Sequence, residues 1–260
     1  MYSPRRIKTE LKKTYIPMKK ILILTLLLCS RELAAQTTYA VLVGISDYKN
    51  FDADTGDLGS ADKDARKMYA FFNPSKSKNV VMLLNGKATK SAIREAMYGT
   101  LLKAGPNDKI IFYFAGHGDV GSFIPYEIGD PASGPLNRTE VLDVFKRSKA
   151  GIKVLIADAC HSGAMGEPKA VTGKAGEDRV LMMLSARKAE SSIERAGGGL
   201  FTKVLLQGLA GHADQGKKDG KVTARELFVY TKRELNKLTR NEQSPVFKGK
   251  FPDGWVLSVY

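Results

Sequence analysis

Residues 153–163 read KVLIADACHSG. The apolar run Val154–Ala157 is interrupted by Asp158, carries Cys160 and His161 side by side, and stops at Gly163. A short unbroken run of this kind reads as a strand buried on both faces, as in parallel sheets. YAVLVGIS (39–46), NVVMLLNG (79–86), DKIIFYFAGHG (108–118) and RVLMMLSA (179–186) have the same character, and SPVFKGK (244–250) reads as a short last strand. Between them lie helical patterns: ADKDARKMYAFF (61–72), TKSAIREAMYGTLLKAG (89–105), RTEVLDVFKRS (138–148), GLFTKVLLQGLAG (199–211) and TARELFVYTKRELNKL (223–238). Asn73-Pro74 and Gly105-Pro106 supply stops, and Thr89 or Ser91 supplies an N-cap. Strands alternating with helices predict right-handed crossovers and an α/β three-layer sandwich. Its sheet has about six mostly parallel strands with helices on both faces.

In such folds chemistry gathers at the carboxyl ends of the strands. There AGHGD ends the third strand and DACHSG the fourth, so His117 and Cys160, 43 positions apart, reach one edge of the sheet. A proton carrier must lie ~3 Å from the sulfur or be linked to it through water. Neighbours on a strand point to opposite faces. If Cys160 faces a cleft, His161 faces away as an orienting or packing residue, and His117 is the partner. Gly116 and Gly118 leave space beside His117 for a substrate backbone. His212, in GHADQG, reads as solvated. Asp158, two residues before Cys160, shares its face by alternation.

YAVLVGISDY, LGSADKDA, KIIFYFAGHGD, VLIADACHSG and LMMLSARKAESSIE, in this order, resemble the caspase-like cysteine peptidases, closest to bacterial metacaspase-like members. The likeness runs from about Tyr39 to the C-terminus. It implies a cysteine-type endopeptidase in which Cys160 attacks a peptide carbonyl, His117 manages the protons, and the backbone N–H groups of Gly118 and Cys160 hold the oxyanion. It also implies cleavage after Arg or Lys, with Asp64 beside Asp158 in the pocket, because a carboxylate pair suits a guanidinium. Asp62 is the competing register for Asp64. In the family, a segment corresponding to the Gly-, Ala- and Lys-rich loop 163–179 separates the large and small catalytic parts, which makes Lys169, Lys174 and Arg179 candidate autoprocessing sites.

Two departures from the family pattern stand out: Ala115 replaces a usual serine, and Ala61 a frequent cysteine. The acidic cluster that serves calcium in relatives is thin, with Asp119, Glu127 and Asp130 alone after His117. A twelve-residue loop ending at Glu226 puts Gln215 and Lys217 where a calcium loop needs carboxylates, so it reads as a relic with Thr223 capping the next helix. Cys160 and the three His do not make a zinc site of normal spacing. No cofactor is expected, and calcium only doubtfully.

The chain has 260 residues, a formal charge of +14 and 43% hydrophobic residues, which suits one globular domain with a full core. From Met18 the sequence MKKILILTLLLCSRELAAQ has the form of a secretory signal, preceded by a basic extension, 1–17. Its apolar run is shorter than the ~20 residues of a membrane span. The expectation is a signal at 1–35, a peptidase domain at 36–260, and export to the periplasm or medium; the alternative is a retained N-terminal anchor. Cleavage after Ala35 removes eight Lys/Arg and two Asp/Glu, lowering the charge to +8, and leaves Cys160 as the one cysteine. No internal disulfide is then possible, and a single thiol reads as a nucleophile. The remaining lysines are scattered, which points to a solvated basic surface and not to nucleic acid. The rival function is a catalytically silent caspase-like scaffold or binding domain; another is a different Cys-dependent acyl transferase.

Overall fold

The computed structural model describes residues 36–51, 56–119, 121–130, 133–159, 179–185, 194–195 and 198–260. Segment 1–35, Cys160, His161, Lys169 and Lys174 lie outside the described residues. The main sheet is built from β1 (Thr38–Gly44), β2 (Val80–Leu84), β3 (Lys109–Ala115), β7 (Ile152–Asp158), β8 (Leu181–Leu184) and β12 (Val246–Lys248). Their order is β12-β8-β7-β3-β1-β2, with the first pairing antiparallel and the rest parallel. The helices are α1 (Ala61–Phe72), α2 (Lys90–Leu101), α3 (Arg138–Arg147), α4 (Leu200–Gln207) and α5 (Ala224–Thr239).

Alternation along the strands builds two cores. Leu42, Ile111, Tyr113, Val154 and Ile156 face α1, α4 and α5. Val43, Phe112, Phe114, Leu155 and Ala157 face α2 and α3. This is the expected three-layer sandwich. Thr89 rather than Ser91 caps α2, accepting from the Ala92 N–H at 3.2 Å. Thr223 and Glu226 form a reciprocal capping box on α5.

The strands end earlier than the apolar runs suggest. β3 stops at Ala115 and β7 at Asp158, which are partners in the ladder. At Gly116 the backbone turns to a φ of +154° and leaves the strand path. α4 is also shorter than its pattern: it gives way to a π-turn, Gly208–His212, with Gly211 at φ +108°. Three small sheets lack a clear sequence signal. They are β4 (Gly118–Asp119) with β5 (Ser122–Phe123) and β6 (Leu136–Asn137), the hairpin β9 (Glu194–Arg195) with β10 (Gly198–Gly199), and β11 (Lys221–Thr223) with β13 (Val256–Val259).

The end of β1 lies against the start of α1. A Cβ on Gly44 would stand 2.5 Å from the Ala61 carbonyl oxygen and 2.6 Å from the Ala65 Cβ. Gly44→Ala should therefore push α1 off the sheet and lower stability by ~1–3 kcal/mol, the usual cost of overpacking a core. Urea unfolding reads this directly; an unchanged midpoint would mean that α1 is not pinned there.

Candidate active site

His117 lies one residue beyond the turn that ends β3. The Gly116 N–H donates to the Asp158 carbonyl at 3.3 Å, which ties the turn to the end of β7. The His117 N–H donates to the Tyr48 hydroxyl at 2.7 Å. The Tyr48 ring lies 4.9 Å from the imidazole and Phe51 meets it edge-on at 5.9 Å. Nε2 of His117 bonds the Gly56 carbonyl oxygen. A carbonyl only accepts, so Nε2 carries a proton, and in the neutral form of the ring Nδ1 is the atom that can take one. Gly116 does not open space for a substrate: a Cβ there would stand 2.7 Å from the Tyr48 oxygen, so the missing side chain admits that hydroxyl. Gly118, half-buried, begins β4 and pairs with Phe123.

Asp158 ends β7 on the face covered by α1 and α4. Its Oδ2 accepts from the Thr202 hydroxyl at 2.7 Å and the Thr202 N–H at 3.3 Å. These donors sit in the first turn of α4, where the helix dipole favours an anion. Asp64, in the first turn of α1, is 1% exposed. Its Oδ2 accepts from the Gly199 N–H at 2.6 Å and its Oδ1 holds the Lys67 ammonium at 2.9 Å.

Both acids thus bind one short stretch, Gly199–Thr202. The glycines permit it, since a Cβ on Gly199 would lie 2.6 Å from Asp158 Oδ2 and 3.1 Å from Asp64 Oδ2. Asp62 is turned elsewhere: it accepts from the Ser46 hydroxyl at 2.9 Å and faces Arg66 at 3.8 Å. Of the two registers, Asp64 is the one brought to Asp158.

Burial pushes the Asp64 carboxyl up to about 6, against the lowering effect of the Lys67 and Gly199 bonds and with a further push from the Asp158 charge. Between the ordinary carboxylate range and about 6, the native state therefore holds a proton that the unfolded chain has already released. This group's contribution to stability declines as pH rises from the ordinary carboxylate range to about 6.

Arg179 is exposed, but its backbone bridges to Lys250, so cutting there would disturb a pairing. Glu127 accepts from the Lys90 N–H at 2.9 Å and the Ser133 hydroxyl at 2.8 Å, and Asp130 faces Lys49 at 3.7 Å. Asp214 is closed by the Lys218 and Gly220 N–H groups and the Tyr260 hydroxyl, and Glu226 is engaged in its capping box. Among the described residues no three His, Cys, Asp or Glu side chains gather as metal ligands. Sequence reading missed Tyr48, the Gly56 carbonyl, Lys67 and Thr202. The run Gly197-Gly198-Gly199 was the one available sign of a close backbone approach.

Three likenesses bear on the chain. The delta-isozyme vacuolar-processing enzyme of Arabidopsis thaliana is 40% identical over 70 residues, which is 26% of this chain and 15% of that protein. The crystal structure of protein GSU0716 from Geobacter sulfurreducens has a TM-score of 0.63 at 18% identity, covering 84% of this chain and 95% of the other; it speaks to the fold alone. The family model described as the caspase domain, Peptidase_C14, matches residues 37–253. With that match spanning nearly the whole sandwich, the chain belongs to the caspase-domain family of cysteine peptidases.

Proposed function

We propose that this protein is a cysteine endopeptidase that cleaves after Arg or Lys, with Cys160 as nucleophile and His117 as proton carrier. The observation that carries it is the anchored His117, held through its Nε2 and its backbone N–H at the sheet edge where β7 ends, two residues before Cys160. His117 takes the Cys160 thiol proton at Nδ1, and the thiolate bonds the peptide carbonyl carbon. The oxygen takes the negative charge and is held by the backbone N–H groups of Gly118 and Cys160. The C–N bond then breaks as the imidazolium returns its proton to the leaving amine, leaving a thioester. Water attacks the thioester, His117 takes its proton, and the acid product and thiolate are released.

Basic specificity is supported by the paired carboxylates of Asp158 and Asp64, one of which already binds a primary ammonium, that of Lys67. A substrate cation competes there with Lys67, Gly199 and Thr202 for the same oxygens. The substrates are proteins or peptides, no nucleic acid is involved, and the protein acts after export. No helix among the described residues is long and apolar enough to cross a membrane. Self-cleavage follows Lys169, Lys174 or Arg179. Activity requires no metal.

Fluorogenic peptides test this reading. Cys160→Ala should abolish turnover, and His117→Ala should lower kcat by ~10²–10⁴-fold, the usual worth of a positioned acid–base group. His161→Ala should retain most activity. Asp158→Asn should lower kcat/KM for Arg peptides by ~10²-fold or more, since a charge-assisted hydrogen bond and an unpaired cation are both at stake. No turnover by the wild-type protein would return it to the scaffold reading, full activity in Cys160→Ala would remove Cys160 as the nucleophile, and normal Arg cleavage by Asp158→Asn would make the acid pair a clasp for α4 and nothing more.

The pocket has a separate pH signature. Benzamidine, a permanent cation that involves neither thiol nor imidazole, should bind more tightly as pH rises through about 6, when Asp64 ionises. The gain should be roughly tenfold, and Asp64→Asn should flatten it. Isothermal titration between pH 4.5 and 8 measures it; a flat wild-type profile would place the cation away from Asp64.

A further inference from the structure

Tyr48 has no part in the chemistry described above, yet three of its groups converge on His117. The residue follows β1 and is 1% exposed. Its hydroxyl accepts the His117 N–H at 2.7 Å and donates to the Ile124 carbonyl at 3.4 Å, so it is fixed from both sides. Its ring lies against the imidazole at a tilt of 42°. Its own N–H donates to the Asp57 carboxylate at 3.0 Å. Asp57 follows Gly56, whose carbonyl receives the Nε2 proton of His117. The Leu58 N–H, donating to the Ser46 carbonyl at 2.8 Å, holds the same short segment against the same turn.

Both ends of the bond between Nε2 and Gly56 are therefore tied to one residue, the imidazole end through the Tyr48 side chain and the acceptor end through its backbone amide. The backbone that carries the imidazole is set by the Tyr48 hydroxyl. The acceptor is set by the Tyr48 amide through Asp57. The ring plane is set by the Tyr48 ring. Glycine at 116 fits this arrangement, because a Cβ there would collide with the hydroxyl. Burial pushes the Tyr48 phenol far above its ordinary range, so it stays neutral and keeps a proton to donate to Ile124 while accepting from His117.

We propose that Tyr48 is the positioning residue for His117, holding its imidazole in the tautomer with the proton on Nε2 and Nδ1 bare. The proposal rests on His117 serving as the proton carrier. Tyr48 touches neither substrate nor thiol; it acts through the histidine. A ring held this way needs no reorientation when a proton arrives at Nδ1, and a displacement of about 1 Å in such a group lowers rates by ~10²-fold.

The test uses the full chain labelled with ¹⁵N-histidine, whose three histidines are assigned by comparison with His117→Ala. Wild type should show His117 as a single tautomer with the proton on Nε2. Tyr48→Phe keeps the ring and removes the hydroxyl; it should show both tautomers, with kcat lowered roughly tenfold or more and KM little changed. Asp57→Ala, which removes the Tyr48 tie on the Gly56 segment and leaves the hydroxyl in place, should give the same tautomer mixture; it carries the test if Tyr48→Phe folds poorly. A single Nε2-protonated tautomer in both variants, or unaltered kcat in both, overturns the proposal. Failure of the underlying dyad looks different: His117→Ala would keep its activity, while the tautomer signal still reports whether Tyr48 holds the ring.

Discussion

The last rung of the β3–β7 ladder decides where everything at this edge sits. Ala115 pairs with Asp158, and the next amide, that of Gly116, closes onto the Asp158 carbonyl. From this rung the chain turns one way to carry His117 toward Tyr48 and Gly56. The Asp158 side chain leaves the same rung in the other direction, toward α4 and Asp64. A one-residue slip would exchange the two faces and separate the carboxylates, since side chains on a strand alternate. The paired apolar runs of β3 and β7, buried throughout, hold the register.

Two carboxylates buried side by side are unfavourable unless donors surround them. Here the donors are two amides, a hydroxyl and an ammonium, drawn from the start of α4 and from α1. The cluster therefore has a structural consequence of its own: it fastens Gly199–Thr202 to α1 and β7. The same electrostatics makes it a receptor for cations. Burial leaves Asp64 near 6, poised between its neutral and charged forms, and any bound cation favours the charged form.

Much of the sandwich was legible from residue pattern alone. The α1 boundaries fall where the pattern puts them, closed by Asn73-Pro74. The five parallel strands are unmistakable because their runs are nearly pure apolar, and β3, β7 and β8 are buried on both faces. The pairing of Asp64 with Asp158 was foreseeable through family resemblance, while alternation gave the face of Asp158. What escaped notice has physical reasons. The strand ends are set by Gly116 leaving the strand path, which no periodicity marks. Two-residue strands such as β4 and β9 are too short to carry a period. Tyr48 reads as an ordinary core aromatic, and the Gly56 carbonyl has no sequence signature, because any residue supplies one. Cys160 and His161 lie outside the described residues, so the choice between the two histidines rests on the anchoring of His117.

The most direct measurement is the identity of the residue before the cut bond. A peptide library digested with wild-type protein, with Cys160→Ala as control, and read by mass spectrometry gives it in one experiment. Cuts after Arg and Lys that vanish in Cys160→Ala are the expected result. Cuts after Asp or Asn, or a digest that is the same with Cys160→Ala, would contradict a cysteine peptidase whose pocket is built on Asp64 and Asp158.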